Sequence, residues 1–395
     1  MERKYQVISS DGHVETPPDV WVKYVPEKWQ ERAPRLIKLP EGGEGWVIEG
    51  MAMLNNGQNI TAGKPVRFRG GTYFNDDGSR APGAGDAAQR LREQDQGGID
   101  CEVLFPPVFA SRFLEGIQDR EVYLSMIQAY NTFLAQDYCS VAPDRLIAAG
   151  VMPVTGVDDA IAELKRCKEI GLRTVTFYVF PNGSGGPKPE DDRFWQTAMD
   201  IEMRLSPHAN FGDREPNFGG ASKGTGGAGV ASAMAQRVGG VVPTFCLSQL
   251  IYSGLFDRLP ELRIYFAETN ASWMPHAFWM FDDNYRVYNS WFKHDLKMMP
   301  SEYIKKHIMF GIIRDPMALR LREFFPAENL MWGSDHPHSV ASFPRSREAL
   351  AEIFDGVPDQ LKRKILLENP AEFFGLDLDK PITPTPGVAV AVGGG

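Results

Sequence analysis

Cysteine is scarce in this chain, and its placement excludes two classes of protein. Cys101, Cys139, Cys167 and Cys246 are spread over 395 residues with no CxxC pair. Neither a zinc ribbon nor a disulfide scaffold is expected, and free buried thiols in a reducing compartment fit the pattern. Runs of basic residues are missing as well. The formal charge is −9 and no block of Lys and Arg stands out, so the electrostatic footprint of a nucleic-acid partner is absent. No apolar segment reaches the roughly 18 residues a membrane span needs. The N-terminal MERKYQVISSDGHVE has no apolar region of the kind a signal peptide carries. A soluble, cytoplasmic protein without a membrane partner is expected.

What is present is an alternation. Hydrophobic residues make up 43 % of the chain, enough for a substantial core, and the length suits one large α/β barrel. Short apolar runs read as strands at 5–11, 100–106, 146–153, 172–179, 204–211, 262–268, 307–313 and 329–335, with helical stretches between them. In DDAIAELKRCKEIG, Ile161, Leu164 and Lys165 are expected on one face, with Gly171 as C-cap. In SREALAEIFDGV a Ser N-cap is expected. Eight strand–helix alternations imply a (β/α)8 TIM barrel. Two insertions interrupt it: a Gly-rich β excursion within 35–85 and a Gly-rich loop at 212–240. Both follow strand C-termini, the face on which barrel enzymes build their sites. One barrel domain over residues 1–380 is expected, followed by a flexible tail at 381–395.

Polar residues gather where these strands end. Asp11 and His13 close the first run, His208 the fifth, Glu268 the sixth, Arg314 and Asp315 the seventh, and Asp335, His336 and His338 the eighth. In a barrel those ends converge on one cup. Asp11 and His13, two residues apart, point the same way on an extended strand. With His208 and Asp335 they make two imidazoles and two carboxylates, a set suited to zinc, manganese or iron. Such an ion lowers the pKa of bound water or polarises a substrate oxygen, and Asp335 could then serve as general base. The plainer readings stay open: DxH as turn or cap residues, Glu268 as a cap of the helix at Ser272 or partner of Arg314. Trp273, Phe278, Trp279, Phe281, Phe105 and Phe109 fit either a substrate pocket or the core.

The stretches SSDGHVETPPDVW, DQGGIDCEVLFP, APDRLIAAGVMP, HANFGDREP, LPELRIYFAETNASWMP, GIIRDP, MWGSDHPHSVASFPRSREAL and GVPDQLKRKILLENPAEFFGL together resemble amidohydrolase family 2. This is the branch of the metal-dependent amidohydrolases that contains aminocarboxymuconate-semialdehyde decarboxylase and the resorcylate decarboxylases. The resemblance spans about residues 5–377. It implies Asp11, His13, His208 and Asp335 as the metal set, with Asp11 in place of the more frequent first His. It also exposes a departure, because Glu268 stands where many members have a catalytic His. The residue after the strand-eight Asp is here His336, and His276 is a further extra imidazole.

Two chemistries follow from that resemblance. The first is a metal-dependent hydrolase or non-oxidative decarboxylase of an organic, perhaps aromatic or polycyclic, carboxylic acid. In it Asp335 is base, His338 orients or shuttles a proton, Glu268 lies at the reaction centre and Arg314 anchors the substrate carboxylate. The second is an oxygen-dependent di-iron monooxygenase in which Glu268, His276 and His336 hold a second iron. A homodimer is compatible with either.

Overall fold

All eight apolar runs form parallel strands, each shorter than its run. The computed structural model describes residues 3–40, 42–54, 60–62, 71–107, 113–208, 211, 241–293 and 295–387. The strands are β1 (Ile8–His13), β2 (Cys101–Phe105), β3 (Leu146–Val151), β4 (Thr174–Thr176), β5 (Arg204–Leu205), β6 (Ile264–Phe266), β7 (Ile308–Ile312) and β8 (Leu330–Trp332). They lie in a five-stranded sheet ordered β1-β2-β3-β4-β5 and a three-stranded sheet ordered β6-β7-β8. Main-chain bonds cross both gaps between the sheets. Ala267 N donates to Pro207 O (3.0 Å) after β6 and β5; Asp335 N donates to Asp11 O (2.9 Å) and His13 N to His336 O (2.8 Å) between β1 and the segment after β8.

Strands buried on both faces read as continuous apolar runs, and the period of two sorts their residues. Ile8, Cys101, Val103, Phe105, Tyr265, Met309 and Met331 share one cluster with Phe373 and Phe374 of the C-terminal helix. The alternate positions Leu104, Ile264, Phe266, Ile308, Phe310, Leu330 and Trp332 pack in a second cluster with helix residues such as Leu91, Met126 and Leu164.

A β-bulge decides what β1 presents. Ile8 pairs with Cys101 and Ser9 with Glu102, but Gly12 then pairs with Leu104 and His13 with Phe105, so one extra residue sits between Ser9 and Gly12. Without it, Ile8, Ser10 and Gly12 would share a face and Asp11 and His13 would turn away. The bulge puts His13 on the face of Phe105, and such bulges re-aim side chains beside functional sites. β8 can approach the bulge because residue 333 is glycine: a Cβ there would lie 2.3 Å from Asp11 Cβ.

The helices depart from expectation in detail. The helix Val157–Glu169 buries Val157, Ala160, Leu164 and Cys167. Ile161 is only half-buried and Lys165 exposed, so the inward stripe is displaced from the one expected. Gly171 does adopt a positive φ, 95°. The helix Ser346–Ile353 has Arg345 at its N-cap, without a side-chain cap; the expected cap, Ser346, is the first helical residue and pairs its hydroxyl with that of Ser342 (2.8 Å). The excursion is an antiparallel sheet of Arg35–Lys38, Glu44–Ile48 and Met51–Leu54. It is tied in where Thr61 N and Ala62 N donate to Pro337 O (3.0 and 2.7 Å). The Gly-rich loop expected at 212–240 lies outside the described residues, as does 388–395 of the tail. At the start of that tail, Ile382 N donates to Arg3 O (2.9 Å) and Thr383 N to Asp144 Oδ2 (2.6 Å), while the fully buried Arg145 donates to Thr385 Oγ1 (2.8 Å). All four cysteines are buried and free. Among the described residues no helix is long and apolar enough to cross a membrane.

Candidate metal centre

The strand ends bring Asp11, His13, His208, Glu268 and Asp335 together. His13 Nε2 lies 3.3 Å from Asp335 Oδ1 and 3.7 Å from Asp11 Oδ1. His208 Nε2 lies 3.4 Å from Asp11 Oδ1 and 3.6 Å from Glu268 Oε2. Asp11–His13–His208 and His13–Glu268–Asp335 each offer ligand atoms within 4.8 Å of one another. His13 Nδ1 faces Pro106 O at 3.1 Å, a backbone contact that leaves Nε2 aimed inward, the arrangement by which a second ring nitrogen orients a ligand.

Whether these residues fit an ion is tested by their hydrogen bonding. Both carboxylate oxygens of Asp11 and of Asp335, both ring nitrogens of His208 and Nε2 of His13 are buried with no hydrogen-bond partner among the described residues. Unpaired polar atoms of that kind are costly and rare, and converging oxygens and imidazoles are what a divalent cation satisfies. The donor set fits. Two of these groups sit on backbone that side chains seldom adopt, Glu268 at φ 54° and Asp335 at φ 53°. Each costs of order 1–3 kcal/mol, and strain of this kind gathers at functional sites.

His338 stands beside the cluster. Its Nδ1 is 3.0 Å from Asp335 Oδ1, its Nε2 3.2 Å from Glu15 Oε1, and its ring stacks on His13 with centroids 3.8 Å apart. Burial opposes a charge on His338, but Asp335 and Glu15 outweigh it and raise its pKa well above the ordinary value. Asp335 is held well below the carboxylate range by His338 and His13 despite its burial. Asp11 is pushed up to about 8, by burial first and then by Asp335. Glu268 is also raised, by desolvation and then by Asp335. Burial lowers both His13 and His208. Neutral imidazoles are the form that binds metal.

Glu15 was not anticipated, although DGHVE continues the alternation Asp11–His13–Glu15. Also unanticipated was a buried polar layer behind the ligands. The helix Ala87–Gly97, capped by Asp86 and ended by Gly98 at φ 73°, turns Arg90, Glu93 and Gln94 inward, three and four residues apart. Arg90 pairs with Glu102 of β2 (Nε to Oε2, 2.7 Å). Long charged side chains at helical spacing read as a solvated face from sequence, which is why this layer was missed.

The expected second centre is not assembled. His336 Nε2 contacts Glu93 Oε2 at 2.8 Å and its ring packs on Phe343 (4.3 Å). His276 is exposed on the helix Met274–Phe292. Of the three residues, only Glu268 joins the cluster. Physically, His336 turns behind the strand end and gives Nε2 to Glu93, while its buried Nδ1 has no hydrogen-bond partner among the described residues. Arg314 is exposed and forms no ion pair with a described residue. Its alternative partner Asp315 instead accepts from Ala271 N (2.8 Å), Ser272 N (2.9 Å) and Ala318 N (3.1 Å). Among the aromatics, Phe105 lies against His208 (4.8 Å) and His13 (6.1 Å). Trp273 packs on Phe310, Phe281 is core and Trp279 is exposed. Phe109 lies outside the described residues.

The profile of the family Amidohydrolase (Amidohydro_2) matches residues 19–376, and the chain belongs to that family. Asp11 and His13 precede the matched span. A curated relative, 2-amino-3-carboxymuconate-6-semialdehyde decarboxylase of Dictyostelium discoideum, is 25 % identical over 304 residues, 74 % of this chain and 77 % of the relative. A crystal structure of an amidohydrolase from Mycobacterium avium subsp. paratuberculosis K-10 superposes with a TM-score of 0.72 at 16 % identity, covering 95 % of this chain and 99 % of the other. A 5-carboxyvanillate decarboxylase from Novosphingobium aromaticivorans, solved with bound manganese, superposes with a TM-score of 0.58 at 17 % identity, covering 73 % and 80 %. These likenesses to solved structures establish the fold.

Proposed function

We propose that the chain is a metal-dependent lyase, a non-oxidative decarboxylase of a small organic carboxylic acid. The carrying observation is the set of buried, unpartnered ligand atoms of Asp11, His13, His208 and Asp335, in a family whose relatives include decarboxylases. The eight strands close into a (β/α)8 barrel over residues 1–380, a reading supported by the main-chain bonds that cross both gaps between the sheets.

Asp11, His13, His208 and Asp335 would hold one divalent ion, with Glu268 as a further oxygen donor. Manganese suits the mixed oxygen and imidazole set. When bound, the ion polarises a substrate oxygen and steadies the charge left on carbon. The residues do the rest. Loss of carbon dioxide leaves the bonding pair on the ring or chain carbon, and one proton must arrive there. His338, hydrogen-bonded to Glu15 through Nε2 and with Nδ1 3.0 Å from Asp335 Oδ1 as an ion-pair approach outside hydrogen-bond geometry, carries that proton. Arg314, exposed two residues after β7, would pair with the substrate carboxylate, and Phe105 packs against His208 and His13 beneath the cluster. Of Glu268, His276 and His336, only Glu268 joins a candidate metal group among the described residues, so nothing there supports a second iron site or oxygen chemistry.

One observation favours hydrolysis as a second reading. Glu268 is half-buried, with Oε2 3.6 Å from His208 Nε2, and beside a bound cation its carboxyl group would ionise and take a proton from water. The two readings separate on products. Protein reconstituted with Mn2+ and incubated with ring-hydroxylated benzoic acids is expected to release carbon dioxide, to lose that activity with a chelator and to regain it with the ion. Asp335→Asn is expected to bind less than a tenth of the wild-type metal at equal free ion. Failure of the wild type to bind Mn2+ or Zn2+ would end the metal reading. Metal binding with hydrolysis of esters or amides and no carbon dioxide would select the second.

A further inference from the structure

We propose that Arg90 is a positioning residue for the metal centre, a single guanidinium that fixes the two strand ends bearing Asp11, His13 and Asp335. This rests on the reading of those residues as metal ligands. Arg90 uses each of its three nitrogens on a different strand segment. Nη1 donates to His13 O (3.0 Å) at the end of β1, Nη2 to His336 O (2.9 Å) after β8, and Nε to Glu102 Oε2 (2.7 Å) on β2. Its side chain is 1 % exposed. The accepting carbonyls belong to ligand His13 and to the residue following ligand Asp335, so their spacing sets the spacing of the ligands.

Three further observations show a built device. Glu102, which balances the charge, also accepts from Gln94 Nε2 (3.0 Å) and from Ser334 Oγ (2.9 Å), the residue preceding Asp335. Ser334 N in turn is held by Ser9 Oγ (2.8 Å). Gly12, between the two β1 ligands, admits the guanidinium: a Cβ there would lie 2.6 Å from Arg90 Nη2. A planar fork can serve two carbonyls and a carboxylate at once, whereas a lysine ammonium is a point charge that cannot span them. Arg90 makes none of its bonds to a ligand atom, so it acts through the main chain.

A general stabilising role predicts something different, and metal affinity separates the two. Affinity for Mn2+ or Zn2+ is measured on the full chain by competition with a chromogenic chelator, and folding by circular dichroism and thermal unfolding with the metal removed. Arg90→Lys is expected to fold and to bind metal 10- to 100-fold more weakly, the usual effect of losing an outer partner of a metal site. Arg145→Met, which removes another fully buried arginine that holds Asp95 of the same helix and Asp100 O before β2 but bonds neither strand end bearing a ligand, is expected to lower the unfolding midpoint and leave metal affinity within twofold of wild type. A folded Arg90→Lys protein with wild-type affinity overturns the proposal, as does an Arg145→Met loss equal to that of Arg90→Lys. Should Arg90→Lys not fold, Ser334→Ala decides: about tenfold weaker binding supports the clamp and unchanged binding overturns it. A wild-type protein that binds neither ion removes the metal reading itself, an outcome distinct from a variant that keeps full affinity.

Discussion

Gly333→Ala tests the contact on which the centre depends, the approach of β8 to the bulge in β1. A methyl group at residue 333 would meet Asp11 Cβ at 2.3 Å and Asp11 Cα and N at 3.1 Å, against ordinary contacts of 3.4–4 Å. The obstacle is a strand backbone, not the tip of a flexible chain, so the two strands must part by about 1 Å. Overpacking of that kind costs about 1–3 kcal/mol. The bonds Asp335 N to Asp11 O (2.9 Å) and His13 N to His336 O (2.8 Å) span the same seam, and weakening them adds about 1 kcal/mol. A total of about 2–4 kcal/mol lowers the thermal midpoint by several degrees. The displacement also far exceeds the roughly 0.2 Å tolerance of metal–ligand distances, so affinity for Mn2+ should fall at least tenfold. Differential scanning calorimetry and chelator competition read the two effects. A Gly333→Ala protein that unfolds within about 1 °C of wild type with unchanged affinity would refute the strand contact and the centre built across it.

Three other outcomes follow from the geometry. His276→Ala should leave metal content and stability unchanged because that ring is exposed, and His336→Ala should keep one ion per chain while losing about 1–3 kcal/mol with its Glu93 partner; elemental analysis showing lost metal in both would revive a second centre. Ending the chain at Lys380 removes the bonds of residues 382–385 to Arg3, Asp144 and Arg145 and should cost about 2–4 kcal/mol in denaturant titration, with metal affinity intact; no loss would show the anchoring to be inert. His307 is buried, with Nδ1 on Leu262 O at 2.7 Å and Nε2 unpartnered among the described residues, and burial holds its pKa below the usual value. The unfolded chain therefore takes up a proton that the folded one resists. Stability is fully present above about pH 6.5 and falls as pH drops below it, and in metal-free protein His307→Asn should show a shallower decline of the midpoint between about pH 6.5 and 5. An unchanged slope would place the acid sensitivity elsewhere.

Apolar runs and the polar residues at their ends are local properties, so they were legible: the runs containing Ile8, Cys101, Leu146, Thr174, Arg204, Ile264, Ile308 and Leu330 are all strands. The gathering of Asp11, His13, His208 and Asp335 followed from placing those ends on one rim. Strand ends were less legible, because the polar residues that leave the ladder still read as extended chain; among the described residues β5 spans Arg204–Leu205 and Ser206, Pro207 and His208 of the same run lie outside it.

Tertiary structure alone decided the rest. The bulge between Ser9 and Gly12 has no residue signature, yet it determines which face Asp11 and His13 occupy. His336 and His338 look equivalent in DHPH, but one turns to Glu93 and the other to Asp335 and Glu15. Arg90 reads as a surface residue of a polar helix until β1, β2 and β8 are packed beneath it. Residue type and spacing encode which chemistry a chain carries. Which groups meet depends on distances between segments hundreds of residues apart, and those are set by register and packing.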